Sequence, residues 1–409
     1  MLYYAHMKLQ RVAVGHWLLG STIQLKEVYE AMGYARSLHI REEDLKRSMK
    51  RLSPKEVEYH TESINTITSR IGKHGEGFVM TEDGLVIVTK DTTDEEVEDV
   101  VRYLSAVLDK YTIPFLHELF SRSVPIPEVL ENQQHSYPVV LHFSSATEEE
   151  VFTLCASLGE IVYKTVKTSS GFIIISSRLA VVVGNKLSKR LLQDTILYLM
   201  FARAYELEIR SLFVAQRSIW NELERIRKHE HQDQTELSKI RDRAQRLQNE
   251  SNYLSSKVQQ MVQFLDWRTE LVDSYLTDKK MAELFHSFFH SLETTQMFLR
   301  ELWEMTSTSA NATVQSLSLL YSDNQAREIQ TLQKLFLITA VISIVSLGTF
   351  AGSNMITRSA DGTLVSIAQI HAWNMSSFAV YGVVAFLGAF IVYGIFALII
   401  KFSNKKHSA

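Results

Sequence analysis

Two apolar stretches decide how this chain is read: LFLITAVISIVSLGTFAGSNM at Leu335–Met355 and FAVYGVVAFLGAFIVYGIFALII at Phe378–Ile400. Each reaches the ~20 apolar residues that a helix needs to cross a bilayer core. A spanning helix satisfies its backbone internally, so two in succession form a hairpin with both flanking ends on one side. Lys334 precedes the first stretch, and Lys401, Lys405 and Lys406 follow the second. The intervening segment 356–377 holds Arg358, Asp361 and no lysine. The positive-inside bias therefore predicts an integral, multi-pass membrane protein with both termini cytoplasmic.

N-terminal to this hairpin, from Asn185 to Leu347, there is neither a glycine nor a proline. A stretch so rich in Leu, Gln, Glu, Arg and Lys is predicted to be nearly continuous helix. Breaks at 228–234 and at Thr277-Asp278 divide it into Lys186–Arg227, Thr235–Tyr275 and Asp278–Met355, with Asp278 placed to cap the last. That last helix runs from the cytoplasmic side into the first apolar stretch, over about 110 Å.

Residues 1–185 contain all five prolines and alternate strand and helix signals. Gly77–Met80 and Leu85–Thr89 flank Glu82-Asp83-Gly84 as a β-hairpin. Thr93–Tyr111 has apolar residues at helical spacing. Thr147 with Glu150 three residues on is a capping box opening a helix to Leu158. Pro138–Phe143, Ile161–Val166, Phe172–Ser176 and Ala180–Val183 read as strands. The glycines between Gly72 and Gly77 follow no predicted strand and open no helix, so they predict a turn rather than a nucleotide loop.

The fold class expected is thus a membrane protein of α+β type. It comprises an N-terminal cytoplasmic α/β domain (1–185), a long helical, coiled-coil-like stalk (186–334) and two C-terminal transmembrane helices. The latter are 335–355 and 378–400, joined by an outer loop (356–377) and followed by a basic cytoplasmic tail (401–409). A net charge of -3 and a pI of about 6.5 give no basic field for nucleic acid. The single cysteine, Cys155, excludes an internal disulfide and a Cys-based metal site; among apolar residues it reads as a buried thiol. Residues 1–20 mix Tyr, His, Lys and Arg into the apolar ones, which argues against a cleaved secretory signal.

Several constellations carry chemistry. Thr339, Ser343, Ser346, Thr349 and Ser353 recur at steps of three and four, along one side of the first apolar helix, with Asn354 at its end. Small hydroxyl residues can serve close helix packing in lipid. A stripe of this length ending in an amide also suits a water-filled path, because hydroxyl, carbonyl and amide oxygens suit a hydrated hard cation. Asp323 and Glu328 below the membrane could form acidic rings in a bundle, or a solvated face paired with Arg327. His286 and His290 stand at i, i+4, the spacing for one shared metal; Phe285, Phe288 and Phe289 around them fit a helix–helix seam instead. No nucleophile elbow or metalloprotease helix is present, and no enzyme is expected.

This order of α/β domain, two antiparallel helices, a very long helix running into the first span and a short second hairpin helix resembles the CorA-type divalent-cation channel superfamily. The likeness is also local. Leu320-Tyr321-Ser322-Asp323-Asn324 with Glu328-Ile329 resembles the family's segment before the membrane, and its Gly-Met-Asn signature falls on Gly352-Ser353-Asn354. Ser353 replaces the methionine, Ala351 replaces the usual aromatic residue, and the outer loop keeps only Asp361 of the family's acidic stretch. The resemblance rests on residues from about 190 onward.

It implies a homopentamer in the cell (inner) membrane whose first spans ring a pore lined by Thr339, Ser343, Ser346 and Thr349. Gly352, Ser353 and Asn354 would form the selective outer mouth. The second span would face lipid. Mg2+ or another divalent cation would be the transported and regulatory ion, with no other cofactor. A rival from another class is a membrane-tethered scaffold or sensor that keeps the architecture without conducting; a third is an unrelated coiled-coil protein anchored by a hairpin.

Overall fold

The computed structural model describes residues 7–18, 25–34, 42–62, 64–92, 95–120, 137–184, 187–228, 234–276 and 278–353. The chain divides into two compact units, Met1–Gln315 and Ser316–Ala409. The sheet and the paired portions of the long helices belong to the first.

That unit is built on a nine-stranded sheet. In chain order come β1 (Lys8–Trp17), α1 (Leu25–Tyr34), α2 (Glu42–Leu52), β2 (Lys55–His60), β3 (Thr66–Ile71), β4 (Glu76–Thr81) and β5 (Leu85–Asp91). Next are α3 (Val97–Val107), a π-helical turn (Leu108–Thr112), α4 (Ile113–Phe120), β6 (Val139–Ser145), α5 (Glu148–Ser157), β7 (Val162–Lys167), β8 (Phe172–Ser176) and β9 (Leu179–Val183). The strand order is β2-β3-β4-β5-β1-β6-β9-β8-β7. All pairs are antiparallel except β6 with β9. Two meanders thus flank the central pair β1 and β6.

β1 shows why the sheet is buried on both faces. Successive side chains of a strand point to opposite sides. Val12 and Val14 join the core formed with α1, α3 and α5, while Ala13, Gly15 and Trp17 meet the long helices. Gly15 sets how closely a helix can approach: a Cβ there would lie 2.5 Å from both Cγ and Sδ of Met200.

The expected hairpin is β4–β5, with Gly84 at φ 87. The capping box at Thr147 and Glu150 is present, and Cys155 is fully buried, its thiol pushed up to about 11 by that burial. Two expectations are corrected. The Gly72–Gly77 turn does follow a strand, because it closes the β3–β4 hairpin. The helix expected at Thr93–Tyr111 begins at Val97 and continues past 111 to Phe120. Pro114 has no N–H to donate back along the helix, and the backbone just before it widens into the π turn.

Three long helices follow: α6 (Lys189–Lys228), α7 (Gln234–Tyr275) and α8 (Lys279–Ser353). Their first and last residues agree with the glycine-free reading to within three residues at every described end. Within the first unit, α6 and α8 run parallel and α7 runs antiparallel to both. Side-chain bonds show the directions: Gln216 to Thr306 and Arg227 to Thr313 from α6, and Gln296 to Val258, Ser307 to Asn252 and Gln248 to Asn311 with α7. Buried positions repeat at alternating steps of three and four. On α7 they are 244, 247, 251, 254, 258, 261, 265, 268 and 272, a coiled-coil period.

Gly15→Val is expected to force Met200 and α6 away from β1, lowering stability by about 1–3 kcal/mol. A urea midpoint equal to that of the wild type would contradict the close approach.

Candidate functional site: the hydroxyl-bearing helix and a buried ion pair

In the second unit, α8 continues as helix through Gly352 and Ser353. Thr339 donates its hydroxyl to the Leu335 carbonyl and Ser343 to the Thr339 carbonyl, both at 2.8 Å. Both hydrogens are thereby used within the helix, and both oxygens keep lone pairs facing out. The side chains of Ser346, Thr349 and Ser353 lie outside the described residues, as do Asn354, the loop 356–377 and the second apolar stretch 378–400. Among the described residues no helix is long and apolar enough to cross a membrane. Asp323 pairs with Arg327 at 2.8 Å across one helical turn, and Glu328 is exposed.

In the first unit, His286 and His290 lie on the outer face of α8 while Phe285 and Phe289 point inward. His286 Nε2 is 3.1 Å from Asp273 of α7, and His290 Nδ1 is 3.4 Å from Glu293. Among the described residues no group of three or more His, Cys, Asp or Glu side chains converges to hold a metal.

Sequence reasoning passed over the point where the sheet grips the helices. On α7, Leu247, Leu254, Met261 and Arg268 occupy one heptad position. A guanidinium at the fourth of these sites was the available signal. Arg268 and Asp83, in the β4–β5 turn, are both fully buried, with Nε donating to Oδ2 at 2.7 Å. The other Asp83 oxygen accepts from the Thr81 hydroxyl and, at 3.4 Å, from the Leu85 N–H. Trp17 donates its indole N–H to the Asp83 carbonyl at 2.7 Å and stacks on Tyr205 at 5.2 Å. The guanidinium carbon sits 4.9 Å from the centre of the Phe201 ring and 5.6 Å from that of Trp267. Both Nη atoms lack a hydrogen-bond partner among the described residues. Cation–π attraction from the surrounding rings offsets part of that loss.

Two further links tie the sheet to helix starts. Asp278 uses one oxygen to cap α8 at Lys280 and Met281, and the other to hold Ser169 of the β7–β8 turn. Burial opposes its ionisation, but these four hydrogen bonds prevail and hold the carboxyl below its ordinary value. Near the start of α6, burial pushes Asp194 up to about 6; Arg190 at 4.0 Å pulls it down and Glu62 repels it.

No family of known proteins matches the sequence, and neither does any curated protein. Among solved structures, the chain is similar to the complete CorA magnesium transporter from Methanocaldococcus jannaschii. That similarity stands at 13% identity and a TM-score of 0.32, over 66% of this chain and 92% of that one. It is also similar to the full-length CmaX protein, at 10% identity and a TM-score of 0.19, over 65% and 90%. Likenesses at these scores carry no argument about what this chain does.

Two outcomes are expected from the buried groups. Asp83→Asn leaves Arg268 charged and unpaired in the core and should destabilise the fold by about 3–5 kcal/mol. Replacing both partners with leucine should cost much less, and a double variant as unstable as Asp83→Asn would contradict the account. For Asp194, the folded carboxyl binds its proton more tightly than the unfolded one, whose ordinary value is 3.8. Stability is therefore lost as pH rises from about 4 through about 6. Asp194→Asn should raise the melting temperature at pH 8 and leave it unchanged at pH 4.

Proposed function

We propose that the chain is a CorA-like divalent-cation channel, most naturally for Mg2+, in which several copies ring a pore lined by the first apolar stretch. The observation that carries this reading is the single uninterrupted helix α8. It spans Lys279–Ser353, and its sequence carries the hydroxyl residues from Thr339 to Ser353. Thr339 and Ser343 spend their hydrogens on their own helix, so their oxygens are left as acceptors. A hydrated divalent cation presents water hydrogens, which such acceptors meet without stripping the ion. Asn354 would hold the hydrated ion at the outer mouth, beside Gly352 and Ser353, with Ser346 and Thr349 completing the stripe.

Self-association, as a homopentamer in the cell membrane with both termini cytoplasmic, belongs to the same proposal. Large apolar residues exposed on α8, including Leu319, Ile329, Leu332 and Phe336, fit burial against other copies or lipid. Asp323, already paired with Arg327, would add less to an acidic ring than Glu328. In this reading the Asp83–Arg268 pair passes movement of the sheet to the helices. The second reading, a tethered scaffold that does not conduct, is favoured by Ser353 and Ala351 where the channel family carries methionine and an aromatic residue.

The test is Mg2+ uptake into proteoliposomes. Wild-type protein should conduct, and Asn354→Ala should cut or de-select the flux. Flux that is absent, or indifferent to the substitution, would sink the channel and leave the scaffold. Light scattering in detergent should give a particle larger than a dimer.

A further inference from the structure

The bundle core changes chemistry partway along α8. Its inward residues Phe285, Phe289, Leu299 and Trp303 give way to Thr306, Ala310 and Thr313. Apolar area contributed by α8 is therefore thin over Thr306–Thr313, before Leu317 is buried again. Two buried polar groups at this level, the Ser251 hydroxyl and the Trp303 indole N–H, have no hydrogen-bond partner among the described residues, so packing here is incompletely satisfied.

One side chain concentrates the replacement contacts. Arg227, next to last in α6, donates from Nε to the Thr313 hydroxyl at 3.1 Å. Its Nη2 donates to the Ser309 carbonyl at 3.2 Å and the Ser309 hydroxyl at 2.5 Å. Nη1 is held by Glu224 at 3.4 Å, which aims the fork. The Ser309 carbonyl also accepts from the Thr313 hydroxyl at 2.8 Å. Threonine hydroxyls that bond back along a helix, as at Thr306, Thr308 and Thr313, loosen it and ease bending.

We propose that Arg227 is a latch: it fastens α8 to α6 where the apolar seam thins, and its release unties Ser309–Thr313 from α6 while Gln216 still holds Thr306 and Gln248 still holds Asn311 to α7. Held, the latch makes the last turns of α8 in this unit move with α6; open, it lets them shift independently of α6. Only the use of this motion, in gating, rests on the channel reading.

Hydrogen exchange on the full-length protein, without any ion gradient, separates the two ideas. Arg227→Leu should speed exchange of the amides of 309–313 about tenfold or more, because hydrogen bonds to a charged group are lost. Amides of 285–299 should be unchanged. Ser309→Ala with Thr313→Val, keeping Arg227, should loosen the same amides, and the triple variant should add little. No change at 309–313, equal acceleration along the whole helix, or full additivity would each overturn the latch.

Discussion

Arg268 occupies a core position in a three-helix coiled coil, out of reach of water, and the fold is arranged to bring it a counter-charge. A buried guanidinium needs its counter-charge close by, and the nearest one lies not on a helix but in the β4–β5 turn, at Asp83. That requirement brings a sheet hairpin onto α7 at one register. Trp17 then closes the gap, with its indole nitrogen on the Asp83 carbonyl and its ring against Tyr205 and Phe201. An apolar pair of the same volume would hold the two layers together at least as strongly but would tolerate a slip between them.

Much of the architecture was legible from residue order, for identifiable reasons. The absence of glycine and proline from Asn185 to Leu347 marked the three long helices, because no helix-breaking residue type interrupts them. Thr147 and Glu150 marked the start of α5 through a local hydrogen-bond exchange. What escaped was non-local. β1 mixes Arg11, Gly15 and His16 into its apolar residues, since its neighbours rather than its own pattern make it a strand; Arg11, for instance, pairs with Asp91 at 2.5 Å. The helix at Val97 outruns its expected end because a π turn absorbs Pro114. Arg268 is by composition one more charge on a charged helix; only its heptad position places it in the core.

The candidate site was legible to a different degree. The hydroxyl stripe could be seen as a spacing, but the hydrogen bonding of Thr339 and Ser343 could not, and it is this that leaves acceptors rather than donors on the helix surface. His286 and His290 have the right interval for a metal; in the structure His286 lies beside Asp273 of α7 and His290 beside Glu293 of its own helix, neighbours that the interval alone does not reveal.

The single parallel pair in the sheet, β6 with β9, has a consequence for how the chain comes to be folded. β1 lies between β5 and β6, whose residues follow it by about 70 and 130 positions, and Gly15 awaits Met200. β6 in turn cannot be closed on its far side until α5, β7, β8 and β9 exist. The two meanders can zip as local hairpins, but the strand that joins them must wait for loop closures of high entropic cost. During synthesis the face of β1 that carries Ala13, Gly15 and Trp17 is made well before α6 and stays uncovered until that helix follows, so this face of the sheet is at its most aggregation-prone before α6 has been made.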